Sequence, residues 1–152
     1  MSTYITTFYD ALYSSITTAF PTKTEITNPY NIESNDDQEL VNGFGIAFND
    51  SSRPNDFGTG LRSLDRDIEL VLTRRLLSTK KDKVPRHVAE KQLLEDQKTA
   101  IEAVLTNNTI RNNIFNIDVN DDQGIEMIFN DKDNFLMLRT RFIAKFQYDI
   151  LC

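Results

Sequence analysis

The strongest pattern in this chain is an alternation of apolar and polar residues over residues 135–150. One parity is mostly apolar and contains Leu136, Leu138, Thr140, Phe142, Ala144, Phe146, Tyr148 and Ile150. The other parity is mostly polar and contains Arg139, Arg141, Lys145, Gln147 and Asp149. Because successive side chains of a strand point to opposite faces, this pattern predicts one long strand with a buried face and a wet face. Such a strand is typical of an antiparallel sheet.

Two other segments have the periodicity of a helix. Apolar residues recur every four positions from Tyr4 to Phe20, which predicts an amphipathic helix that Pro21 ends. Residues 85–106 carry a second apolar stripe, and the residues predicted to face inward are Leu93, Leu94, Ala100, Ile101, Val104 and Leu105. Pro85 suits the first position of that helix, where its missing N–H costs nothing.

The remaining periodic segments alternate like strands. Residues 44–48 place Phe and Ile on one parity and Gly and Ala on the other, so another backbone can approach the bare side closely. A second long strand is predicted over 64–76, with shorter strands at 22–27 and 114–119. Residues 125–129 are predicted to form a hairpin with the closing strand.

The order of these elements is helix, strands, helix, strands. That order predicts an α+β fold in which a mostly antiparallel sheet is flanked by two helices. With 152 residues, the chain is expected to form a single domain spanning 1–152.

The composition of the chain limits the kinds of partner that it is expected to bind. The net charge of −6 argues against tight electrostatic binding of nucleic acid, which needs clustered Lys and Arg. The one cysteine, Cys152, excludes an internal disulfide. No apolar run approaches the roughly 20 residues of a membrane span, and no signal peptide is visible after Met1. We therefore expect a protein made and used without export, with no membrane partner.

The candidate catalytic and metal-binding residues are few. His87 is the one histidine, and no nucleophile or orienting partner can be nominated for it, so a surface position is expected. Asp118, Asp121 and Asp122 precede Gly124, but their spacing does not match a calcium loop and favours a solvated turn. We therefore assign no catalytic residue, no cofactor and no metal, and predict that the chain is not an enzyme.

Residues 49–62 are predicted to form a long loop, and its part 51–62 is expected to be an interaction element that becomes ordered on contact. Two glycines, a proline and several polar residues favour a loop, yet the segment also carries aromatic, aliphatic and arginine residues that often anchor interfaces. Further along the chain, the densest basic positions on a strand are Arg74 and Arg75, at the predicted end of the strand 64–76. The predicted interface residues are Arg53, Phe57, Leu61, Arg62, Arg74 and Arg75.

In the order of its elements the chain resembles the tail-terminator proteins of tailed bacteriophages, also called tail-completion or neck proteins. The likeness is carried by the opening helix that runs into Pro21 and the later Asn28-Pro29-Tyr30, and by the long strand 68–77 followed by a charged turn and the single helix 85–106. It is completed by the closing hairpin, whose last strand, 135–150, is the longest element.

This resemblance implies a structural virion protein without catalytic residues, made in the host cytoplasm. Such a protein forms a ring, usually a hexamer, that caps the tail tube and joins it to the head connector. Its partners would be copies of itself and other neck and tail proteins, with DNA only in passage. An acidic chain fits such a conduit because it repels phosphate.

Two other classes of function stay open at this point. The first is a head–tail adaptor or another intracellular protein-binding module that docks a partner on its sheet edge. The second is a small enzyme using carboxylate or hydroxyl chemistry, since one histidine leaves little else.

Overall fold

A computed structural model describes residues 2–56, 61–76, 85–113, 116–120, 124–130 and 133–149. These residues form helices and one mostly antiparallel sheet, so the predicted α+β class is confirmed. The helices are α1 (Ser2–Ala19), α2 (Asp37–Leu40), α3 (Arg86–Leu105) and α4 (Asn108–Asn113), and a 3-10 turn spans Ile32–Ser34. The strands are β1 (Thr24–Glu25), β2 (Asn42–Asp56), β3 (Leu61–Leu76), β4 (Asn116–Asn120), β5 (Ile125–Asn130) and β6 (Asp133–Asp149).

The sheet is built around the pairing of β3 with β6. Its strand order is β1-β2-β3-β6-β4, and β5 pairs with the same side of β6 as β4 does, at a different part of that strand. The β1–β2 contact is parallel, and the other pairings are antiparallel. The predicted hairpin of residues 125–129 with the closing strand is therefore confirmed.

The main hydrophobic core lies between the sheet and the helices α1 and α3. Phe8, Leu12 and Ile16 of α1 and Phe20 just after it are buried, which confirms the predicted four-residue spacing at these positions. Helix α3 contributes one side of its apolar stripe to the same core, and the strands contribute one parity of their residues. The members from α3 and the strands include Leu93, Ala100, Val104, Ile68, Leu70, Leu72, Leu138 and Phe142. Leu94 and Leu105, predicted to face inward, are instead 52% and 39% exposed.

The first half of β6 is buried on both faces, which the alternation did not predict. Phe135 and Met137 lie on the face predicted to be wet, yet they are 0% and 3% exposed. They belong to a second core cluster with Ile26, Ile32 and Leu40, residues from the segment that links α1 to β2. That segment covers part of the sheet face opposite the main core, so the prediction of a wet face is wrong at Phe135 and Met137.

The face of β2 that carries Gly43 and Gly45 lets neighbouring atoms come close to the strand. A Cβ atom built on Gly43 would overlap the backbone oxygen of Glu39, so the predicted close approach of another backbone is confirmed there. A Cβ atom built on Gly45 would lie 2.8 Å from Cβ of Pro29, so the close neighbour at that position is a side chain.

The predicted loop over residues 49–62 is wrong for 49–56 and 61–62, and residues 57–60 lie outside the described residues. Strand β2 continues to Asp56 and β3 starts at Leu61, and their backbones pair again after a bulge between Asn49 and Arg53. Polar residues with Gly and Pro gave a loop signal, but pairing to β3 satisfies the backbone here. Phe57 lies outside the described residues.

Candidate interaction surfaces

The sheet is much longer than the helices that cover it. Strands β3 and β6 contain 16 and 17 residues, which corresponds to about 53 and 56 Å. Helices α1 and α3 contain 18 and 20 residues, or about 27 and 30 Å. The sheet must therefore continue beyond the helical layer.

The continuation is a three-stranded extension formed by residues 53–56 of β2, 61–65 of β3 and 145–149 of β6. Its register places Leu64 between Pro54 and Phe146. Leu64 and Phe146 have the same strand parity as the buried Ile68 and Phe142. Apolar positions thus continue along the sheet past the part that the helices can cover.

The structure separates the predicted interface residues into two groups. Arg53, Leu61 and Arg62 lie on the three-stranded extension. Arg74 and Arg75 lie at the opposite end of β3, and the 12 residue steps from 62 to 74 span about 40 Å of strand. The six residues cannot form one patch, and Arg74 has an intramolecular role.

Arg74 belongs to a polar cluster that joins the turn after α1 to β2, β3 and α3. Arg74 Nη2 lies 3.0 Å from Oδ2 of Asp96, and the Lys23 ammonium lies 2.8 Å from the same oxygen. Lys23 also donates a 2.5 Å hydrogen bond to Oδ1 of Asn42, and its nitrogen stands 5.3 Å from the centre of the Phe20 ring. Two cations therefore share one carboxylate oxygen.

The Lys23 side chain is only 2% exposed. Burial lowers the pKa of its ammonium group, and the hydrogen bond and attraction from Asp96 partly offset that shift. Removing Asp96 would leave two cations without this partner, which is far more costly than losing a surface pair.

The sheet face opposite the main core carries ion pairs between neighbouring strands, along residues 139–145 of β6. Asp67 of β3 pairs with Arg141 of β6. Glu69 lies 3.8 Å from Arg139. Asp118 lies on β4, within the predicted strand 114–119, with its carboxylate 3.7 Å from Lys145. From Arg139 to Lys145 the predicted charged face is thus present, with its charges matched across strands.

The outer edge of β2 is closed by contacts from the segment before it. β1 pairs with residues 43–44, and the backbone N–H of Ile26 donates to the carbonyl of Phe44 at 2.7 Å. Further along, the Tyr30 hydroxyl accepts from the N–H of Phe48 at 3.0 Å and donates to its carbonyl at 3.2 Å. Nothing in the sequence pattern indicated this role of Tyr30, because it joins a side chain to a backbone 18 residues away.

His87 is exposed in the first turn of α3, as predicted. No protein-family model matches this chain, and no curated protein matches it. Among the described residues, no helix is long and apolar enough to cross a membrane. The same residues contain no group of three or more His, Cys, Asp or Glu side chains placed to hold a metal ion. A function must therefore be inferred from the surfaces above.

Proposed function

We propose that this chain is a structural subunit of the neck of a tailed bacteriophage. In this proposal it forms a ring, with six copies as the expected number, that ends the tail tube and joins it to the head connector. Its place is the virion, its partners are itself and other neck and tail proteins, and it has no catalytic role.

The observation that carries the proposal is the three-stranded extension. A three-stranded ribbon with neither face packed against another layer has little to stabilise it in water. Leu64 and Phe146 continue the apolar parity of β3 and β6 onto this extension, and in the proposal a neighbouring subunit covers that parity. An element of this kind is expected in a protein that becomes fully packed only in an assembly.

The charge of the chain also supports the proposal. A net charge of −6 means that the chain as a whole repels phosphate. The basic side chains of β6 that the structure describes are matched by acidic partners on β3 and β4. A ring made of such subunits would let DNA pass without holding it.

Oligomeric state is the direct test. We expect sedimentation of the purified chain to show a concentration-dependent species much larger than 17.5 kDa, and electron microscopy to show closed rings. A Leu64→Ser variant should weaken assembly while keeping the circular dichroism spectrum. Leu94→Ser on the exposed face of α3 is the matched control, since Leu94 is 52% exposed and lies away from the extension.

Particle composition is the second test, since some ring proteins assemble only on their partners. Mass spectrometry of purified phage particles should find this chain at a fixed ratio to capsid and tail proteins. A chain that stays monomeric alone and is absent from particles would contradict the proposal and favour an intracellular binding module.

A further inference from the structure

The outer edge of β2 has one gap between its closed parts. Phe44 and Phe48 turn their backbone groups outward, as their bonds to Ile26 and Tyr30 show. Backbone direction alternates along a strand, so Ile46 also turns its N–H and carbonyl outward. Among the described residues, no partner is found for these two groups of Ile46.

The segment before β2 does not fill this gap. After Ile26 the chain leaves the edge and crosses the face of the sheet, where Pro29 packs over Gly45. It returns to the edge only through the side chain of Tyr30. Tyr30 is 63% exposed, so little packing holds its ring in place.

The gap has limits on both sides. Below it, β1 and Ile26 occupy the edge up to Phe44. Above it, a bulge interrupts the strand between Asn49 and Arg53, and Pro54 has no N–H to offer. A strand that adds here can therefore be only about four or five residues long.

The opposite side of the sheet ends in a strand of matching length. β4 has five residues, and the side of β4 that faces away from β6 has no strand partner among the described residues. Joining the β2 edge of one copy to the β4 edge of the next is a head-to-tail contact. Such a contact closes into a ring when repeated by rotation.

We propose that the β2 edge at Ile46–Phe48 is an acceptor site for β4 of a second copy of this chain, and that Tyr30 occupies the site until that strand arrives. This inference rests on the proposed ring-forming function and adds to the covered extension a backbone contact between neighbouring copies. Release of Tyr30 gives up two hydrogen bonds to Phe48, and the incoming backbone replaces them and satisfies Ile46 as well.

Hydrogen exchange of the unaltered protein is the first experiment. In the isolated chain the Ile46 amide should exchange quickly, and in the assembled ring it should exchange at least tenfold more slowly, together with amides of β4. Rings in which Ile46 exchanges as fast as in the monomer would overturn the acceptor site while leaving the proposed function intact.

Tyr30→Phe is the second experiment, because it removes the competing hydroxyl and keeps the ring. We expect the concentration for half-assembly to fall about three- to tenfold. Tyr13→Phe is the matched control, since Tyr13 is also exposed and its hydroxyl bonds Glu25 at 2.7 Å, away from Phe48. An unchanged assembly concentration for Tyr30→Phe would show that Tyr30 does not gate the edge.

Two further outcomes separate this inference from the function it rests on. If Ile46 slows only when a different virion protein binds and this chain stays monomeric, the occupant is not a second copy and the inference is wrong. If neither rings nor particle incorporation occur, the proposed function fails and the acceptor site fails with it.

Discussion

Gln97 of α3 donates a 2.8 Å hydrogen bond to the hydroxyl of Thr140 on β6, and both residues are buried. This bond joins the helical layer to the central strand pair inside an otherwise apolar core. A buried polar group that loses its partner costs about 1–3 kcal/mol, whereas replacing both partners by apolar groups can be nearly neutral.

The first prediction concerns this pair. Gln97→Leu and Thr140→Val should each lower the free energy of unfolding by about 1–3 kcal/mol, because each leaves one buried polar group unpaired. The double variant should lose less than the sum of the two. Urea denaturation of the four proteins measures the coupling, and strictly additive losses would show that the bond contributes nothing specific.

The second prediction tests burial on both faces of β6. Phe142→Ala and Phe135→Ala should each cost about 3–5 kcal/mol, although they lie on opposite faces, because both side chains are fully buried. Lys145→Ala is the control and should change the free energy of unfolding by less than about 0.5 kcal/mol. A small loss for Phe135→Ala would mean that the link between α1 and β2 does not cover this face.

The third prediction concerns the close approach at Gly43. Gly43→Ala should destabilise the fold by about 1–3 kcal/mol, since the added methyl group would overlap the backbone oxygen of Glu39 and the side chains of Thr73 and Ile26. Thermal unfolding measures the loss. Combining it with Thr73→Ala removes one of the overlapping atoms and should recover part of the loss. No recovery would place the conflict at the backbone of Glu39, the other neighbour of that position.

The fourth prediction is a pH dependence from Lys23. Its pKa in the folded chain lies below the ordinary value of 10.5, so the folded chain releases this proton before the unfolded chain does. Between the lowered pKa and 10.5 the unfolded state binds more protons, and the free energy of unfolding should rise with pH in that interval relative to Lys23→Met. Lys91→Met on the exposed side of α3 should show no such difference, and equal pH profiles for Lys23→Met and the parent protein would contradict the prediction.

Hydrophobic periodicity predicted the helices that bury one stripe of side chains and the strands that bury every second side chain. The spacing from Phe8 to Phe20 gave α1, and the bare side of Gly43 and Gly45 gave a close approach, because each feature lies within one element. The second core cluster could not be predicted in this way. Ile26, Ile32 and Leu40 are isolated apolar residues among polar ones, and only the tertiary fold brings them to Phe135.

The surfaces were harder to predict than the core. Residues 49–62 have the composition of a loop, and only pairing with β3 reveals strands there. Arg74 and Arg62 looked alike as basic residues, yet Arg74 is tied to Asp96 by the packing of α3 on the sheet. The contact of Tyr30 with Phe48 depends on how the chain at Pro29 crosses the sheet, and no local sequence pattern encodes that path.

The pairing of β3 with β6 also constrains how the chain folds. Its residue pairs are far apart in sequence, from Leu76 with Asn134 to Leu61 with Asp149. Closing so large a loop is entropically unfavourable, so contacts of this range slow folding. The hairpins β2–β3 and β5–β6 need only short closures, and we expect them to form first. Their docking, which creates the central pair and the core beneath α1 and α3 together, should then limit the folding rate.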